Sequence, residues 1–279
     1  VVGTVGDGER EERLAIGETP NIAARVQGVA EPGSVVISGA TSRLVEGYFA
    51  LEELGAVSLR GFSQPVDLHK VGVETGARGR LEVLGEGPLT PFVGRESEVR
   101  GLLDRWRGAR PGSVSVVAVC GEPGIGKSRL VRELRDRVVA ESSIAMQAYA
   151  SPLFQGTALR PIVEMIERWL GLSRAVSDEE KIATLRAALE SAGVSNPEAV
   201  PLLTAALAIP VEGASAPLAL SPQKQRQATF DLLVQWLHAL SKQRGALFVV
   251  EDAHWADPST IEFLGRLIEQ EPPGHLMIL

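Results

Sequence analysis

The residues whose types and spacing can do chemistry fall in three places. The first is GEPGIGKS, where Gly121, Gly126, Lys127 and Ser128 satisfy the spacing G-x-x-x-x-G-K-[ST]. Glycines let consecutive backbone N–H groups curl around phosphate oxygens, and a helix that follows presents its positive end there. A lysine at this point reaches the β- and γ-phosphates of a nucleotide, and the serine hydroxyl ligates Mg2+. The candidate nucleotide-binding stretch is therefore Gly121, Glu122, Pro123, Gly124, Ile125, Gly126, Lys127, Ser128 and Arg129. The second place is LFVVED, where Glu251 and Asp252 follow four apolar residues. One acid would hold the magnesium and the other would orient or deprotonate the attacking water. Which does which stays open, so Ser128, Glu251 and Asp252 are all metal-site candidates. The third is Asn21 and Arg25, one helical turn apart. An arginine fork can stabilise charge growing on a phosphoryl group, and an asparagine on the same face can orient a ribose or phosphate oxygen.

These residues need elements to position them. SVSVVAVC (113–120) is a continuous apolar run, the pattern of a parallel strand buried on both faces, with Cys120 expected as a buried thiol. SRLVRELRDRVVA after it reads as a helix. SIAMQAYA (143–150), ALFVVED and HLMIL read as further strands. Between them lie helical patterns: LRPIVEMIERWL, DEEKIATLRAALESAG, PEAVPLLTAALA and SPQKQRQATFDLLVQWLHALSKQR. Ser221 as N-cap with Pro222 at the first helical position starts the last of these. PSTIEFLGRLIEQ is a helix with Asp257 as its cap, and His254 is read as structural. Ahead of the loop, Val99, Leu102, Leu103 and Trp106 mark one face of a helix. Strands alternating with helices imply a parallel α/β sheet with a helical insertion.

Upstream, Thr19 is expected to cap a helix whose first residue is Pro20. Ile22, Val26 and Val29 form its buried stripe, and Asn21 and Arg25 lie beside it. SVVIS (34–38) reads as a strand, ATSRLVEGYF (40–49) as a short helix, and 56–73 as two strands joined by Gly-Phe-Ser-Gln-Pro. GDGEREERL (6–14) reads as a solvated hairpin tip. Periodicity fades over 75–90, the expected linker between a domain at 1–74 and another at 91–279. Trp106, Trp169 and Trp236 are expected in the core. His69, His238 and His275 have no metal-ligand spacing.

Composition excludes several classes. With 279 residues, 44% apolar and 23% charged, the chain has the balance of a globular protein. A net charge of -7 argues against a nucleic-acid surface in this chain. A single cysteine allows no internal disulfide and suits a reducing compartment, so a cytoplasmic location is expected. No apolar run approaches the ~20 residues that span a bilayer. The chain opens on Val1 and closes on GHLMIL within an apolar run, and both ends read as cut.

Together FVGRESEV, GEPGIGKSRL and VVEDAHWADPST resemble the AAA-related ATPases of the STAND signal-transduction class, over residues 90–279. The resemblance implies ATP and Mg2+ as ligands, slow turnover, and a switch between resting and oligomerising forms under an unknown regulatory partner. It also implies a sensor residue and a winged-helix region, which would lie beyond Leu279. Residues 1–73, with LAIGETPNIAARVQGVAEPGSVVIS at their centre, resemble the C-terminal half of a class III nucleotidyl cyclase domain. That half belongs to a ferredoxin-like α+β fold. By this resemblance Asn21 and Arg25 stabilise the transition state as a ribose 3'-oxygen attacks the α-phosphate, with ATP rather than GTP expected as substrate. The active site forms in a homodimer, with Mg2+ or Mn2+. The metal-binding aspartates would lie before Val1, so the chain as it stands is expected to lack cyclase activity. Leu14 stands where the family has a base-selecting Asp or Thr. Two other readings remain: a cyclase-shaped dimerisation module without chemistry, and a simple P-loop phosphotransferase, against which the helical insertion and the FVGRE lead-in weigh.

Overall fold

A computed structural model describes residues 2–5, 12–15, 18–62, 64–77, 91–109, 111–173, 175–211 and 220–279, with side chains from Thr19 onward. Residues 6–11 of the acid-rich tip expected over 6–14, and 78–90 of the expected linker, lie outside the described residues; 12–14 belong to a strand. The chain forms two compact units, Val1–Thr90 and Pro91–Leu279.

In the first unit β1 (Val2–Val5) and β2 (Glu12–Ala15) pair antiparallel, with Leu14 opposite Gly3. A second sheet has the order β3-β5-β4, built from β3 (Val35–Ser38), β4 (Phe49–Val57) and β5 (Val66–Glu74), all antiparallel. Helix α1 (Glu18–Gln27) packs Val26 against Leu59 and Leu68, with Ile22 partly buried beside them. Two expectations about this helix change. It begins at Glu18, so Thr19 and Pro20 lie inside its first turn, where a proline costs no hydrogen bond. It ends at Gln27, so Val29 falls beyond it and is 43% exposed; the buried stripe is Ile22 and Val26 alone. Helix α2 (Gly39–Val45) is shorter than its pattern suggested. Glu46 caps it, the chain turns at Gly47 and Tyr48, and Phe49 opens β4 instead.

The second unit is a parallel sheet of order β6-β9-β8-β7 flanked by helices. Its strands are β6 (Val114–Val116), β7 (Ile144–Tyr149), β8 (Ala246–Glu251) and β9 (Leu276–Ile278). In β8, Leu247 and Val249 face a cluster with α3 (Glu96–Gly108) and α4 (Lys127–Ala140), while Ala246 and Phe248 face the opposite one. That strand is buried on both faces, which is why ALFVV reads as an unbroken apolar run. Val99, Leu102, Leu103 and Trp106 of α3 are all buried in the first cluster. The second cluster gathers α5 (Arg160–Trp169), α6 (Asp178–Ser191), α7 (Ala199–Ala206), α8 (Pro222–Arg244) and α9 (Pro258–Glu269). Trp236 is buried there and Trp169 packs beside it at 5.6 Å between ring centroids.

The run 113–120 corrects its own reading. Only Val114–Val116 forms strand, and β6 is an edge of the described sheet with β9 as its single neighbour. Val116 is 50% exposed and Cys120 is exposed rather than buried, because the chain leaves the ladder after Val117 to enter the glycine loop. The helix starts follow their local chemistry. Ser177 and Glu180 form a capping box, and Ser221 accepts from Lys224 N at 3.4 Å with Pro222 next to it. Before β9 the backbone of Gly274 runs against the last turns of α8. A Cβ there would lie 2.2 Å from Ser241 O, so only glycine fits.

Candidate functional site

The glycine loop runs from the end of β6 into α4. Gly124 at φ +80° and Gly126 at φ +97° hold left-handed backbone, which turns the loop inward; Gly126 is also the residue from which α4 starts. Lys127 lies back across this loop, its Nζ donating to Gly121 O at 2.9 Å and Glu122 O at 3.0 Å. The ammonium is thereby held over the loop mouth by weak neutral acceptors, which an anion would outcompete.

Ser128, on the first turn of α4, donates its hydroxyl to Glu251 Oε2 at 3.0 Å across 123 residues. Glu251 is the last residue of β8 and is half-buried. Burial pushes its carboxyl above the usual range; the Ser128 bond lowers it, Asp252 raises it, and Lys127 and Gln147 lower it. A hydroxyl and a carboxylate oxygen meeting at this distance are a hard donor set that suits Mg2+. Asp252 follows in left-handed backbone at φ +54° and is exposed. Its neighbours Ala253–Trp255 make one 3-10 turn. His254 is exposed and stacks by its own neighbour Trp255 at 4.8 Å.

Three residues join this site that the sequence alone did not single out. Gln147 on β7 donates Nε2 to Glu251 Oε1 at 3.3 Å and accepts from Arg135 of α4 at 3.0 Å on its own Oε1. The arginine fixes which way the amide points. A polar residue interrupting SIAMQAYA was the available signal. Arg95, from the FVGRE lead-in, brings its guanidinium to 3.8 Å from where a Gly126 side chain would sit, adding positive charge at the loop.

Asp257 is a helix cap, as its place before Pro258 suggested: it accepts from Ser259 N at 2.9 Å and Thr260 N at 3.1 Å. Arg129 sits at the third position of α4, half-buried. Asn21 and Arg25 stand in the first unit, both exposed on α1 and one turn apart. Among the described residues no group of His, Cys, Asp and Glu makes a metal cluster, and no helix is long and apolar enough to cross a membrane.

Comparison with known proteins places this geometry in context. Residues 91–279 match the family described as AAA ATPase domain. An uncharacterized protein of Rhizobium meliloti (strain 1021) is 31% identical over 288 residues, covering 97% of this chain and 26% of that protein. The chain thus spans about a quarter of the curated relative it matches. Two solved structures show a slight likeness. The adenylyl cyclase CyaB from P. aeruginosa is 29% identical at a TM-score of 0.26, covering 28% of this chain and 40% of that one. The guanylate cyclase domain of RhGC from Catenaria anguillulae, in complex with GTP, is 23% identical at 0.25, covering 27% and 40%.

Proposed function

The chain belongs to the AAA ATPase domain family, and on that premise we propose that residues 91–279 bind Mg2+-ATP and hydrolyse it slowly, as the switch of a cytoplasmic signalling protein. One observation carries the reading: Ser128 meets Glu251 at 3.0 Å beside Lys127, so hydroxyl, carboxylate and ammonium converge at the mouth of one glycine loop. Lys127 would release its two loop carbonyls to bind phosphate oxygens. The backbone N–H groups of the loop and the start of α4 would face the same anion. Ser128 and Glu251 would hold the cation, and Asp252, exposed beside them, would orient water and take its proton. Bound magnesium supplies charge neutralisation for the phosphates. The measurement is a calorimetric titration with Mg2+-ATP against Lys127→Ala. Loss of a charged hydrogen-bond donor is expected to weaken affinity about ten- to hundredfold, and equal affinity in the two proteins would sink the assignment.

For residues 1–74 the proposed reading is one half of a nucleotidyl cyclase, making cyclic AMP from ATP as a homodimer. Its support is the exposed pair Asn21 and Arg25 on one face of α1, within the residues that resemble that family. The rival reading, a dimerisation module without chemistry, draws on Leu14 at a base-selecting position. Cyclic-nucleotide production by the complete parent protein with Mn2+, compared with Asn21→Ala/Arg25→Ala, separates them. Production that collapses in the double variant supports the cyclase; none above it supports the module.

A further inference from the structure

Asp257 does more than cap α9. Its carboxylate is buried, at 2% exposure, and its two oxygens take four hydrogen bonds. Oδ1 accepts from Ser259 N and Thr260 N, and Oδ2 from the Thr260 hydroxyl at 2.5 Å; all of these are local to the helix start. The fourth is not local: Leu159 N donates to Oδ1 at 3.2 Å from 98 residues away. Leu159 is the residue from which α5 begins, the first α-helix between β7 and β8, and it holds left-handed backbone at φ +56°. A leucine avoids that region because its Cβ crowds the neighbouring carbonyl, so the conformation persists where the surroundings impose it.

Asp252 shows the same strained backbone just ahead of Asp257. Between them Trp255 N bonds Asp252 O at 2.8 Å and Ala256 N bonds Ala253 O at 3.1 Å, which makes the segment one short, stiff arm. The far side is equally tied. Ala150 N donates to Glu251 O at 3.0 Å, and Arg168 of α5 donates to Gln147 O at 3.1 Å and lies 4.8 Å over the Tyr149 ring. The arm from Asp252 through Asp257 to Leu159 therefore closes a ring that contains the acids, the end of β7 and the start of α5.

We propose that Asp257 is a positioning residue that couples the acid pair to the start of the helical insertion: the Asp257–Leu159 bond holds the Asp252 arm in place and passes a change at the nucleotide site to residues 151–162. The coupling rests on the reading of Glu251 and Asp252 as acids of that site. A movement of Asp252 toward a bound metal nucleotide would rotate the stiff arm, and the arm can turn only by displacing Leu159 N or its own carboxylate.

Serine and asparagine substitutions separate the latch from the cap. Serine caps a helix well but is too short to serve Leu159 at the same time; asparagine keeps an oxygen at the Oδ1 position. The test is amide hydrogen exchange on the full chain for the wild type, Asp257→Ser and Asp257→Asn, with and without Mg2+-ATP. Without nucleotide, Asp257→Ser is expected to speed exchange at Leu159 about ten- to hundredfold, the worth of one charge-assisted hydrogen bond. Asp257→Asn should leave it near the wild type, and the interior of α9 should stay protected in all three. With nucleotide, the wild type and Asp257→Asn should change protection over 151–162, while Asp257→Ser binds ATP with wild-type affinity but shows no such change. Turnover in Asp257→Ser should fall about ten- to hundredfold from a misplaced acid arm. Wild-type protection of Leu159 in the serine variant, or a nucleotide-dependent change that survives in it, overturns the proposal. If calorimetry shows no ATP binding by the wild type, the nucleotide-site reading falls and the coupling with it. Binding with unchanged protection at 151–162 overturns the coupling alone.

Discussion

Glu251 and Asp252 are adjacent in the chain but meet different surroundings, and on the proposed reading of the site that difference gives them different work. Glu251 is half-buried with both carboxylate oxygens engaged, one by Ser128 at 3.0 Å and one by Gln147 at 3.3 Å. Asp252 is exposed. A group held by its neighbours is suited to gripping a cation, and a free one to handling water. Glu251→Gln is therefore expected to abolish the dependence of ATP affinity on Mg2+, measured by titration with and without the metal. Asp252→Asn should bind Mg2+-ATP as the wild type does while phosphate release slows about 10²–10⁴-fold, the usual worth of a general base. The same loss of metal dependence in both variants would show that the two acids share one role.

At the scale of elements, the sheet and helices of residues 91–279 are joined through aromatic and polar contacts on one side. Phe263 of α9 packs 6.4 Å from Phe230 of α8 and 6.3 Å from Phe248 of β8, all three fully buried. Phe263→Ala should destabilise the fold by about 3–5 kcal/mol. The urea midpoint would drop with the slope kept, and an unchanged midpoint would mean that the cavity collapses. Helix α8 also carries His238, whose Nε2 is buried without a hydrogen-bond partner among the described residues. Burial lowers the pKa of this imidazole from 6.5, and the charged groups sharing its groove are Asp231 and Lys242 of the same helix. The sign follows from proton counting: below 6.5 the unfolded chain binds the proton more readily than the folded one. Stability present above pH 6.5 is thus lost as pH falls through the folded pKa. His238→Gln should flatten that acid loss in urea melts, and an equally steep loss in the variant would place its origin elsewhere.

The chain divides into two compact units, and the glycine loop lies in the second. Ligand bound to the native state alone stabilises by mass action, about 2.7 kcal/mol at a hundredfold excess over Kd. Mg2+-ATP is therefore expected to raise the melting transition of residues 91–279, with no rise in Lys127→Ala. A rise in the first unit's transition that persists in Lys127→Ala would show nucleotide bound to that unit itself. Much of this architecture could be read from the chain beforehand. Ser221 and Asp257 start helices through local capping, the unbroken apolar run ALFVV marks a strand covered on both faces, and GEPGIGKS states its loop chemistry in its own spacing, because each depends on residues a few positions apart. Strand order is not local. Only the tertiary structure brought Ser128 to Glu251, Gln147 between Arg135 and Glu251, and Leu159 to Asp257. It also put β6 at an edge of the described sheet, so that Cys120, which follows an apolar run, faces solvent. Local periodicity says which face of an element is apolar; what covers that face, and which polar groups meet at its ends, is settled when distant strands pair.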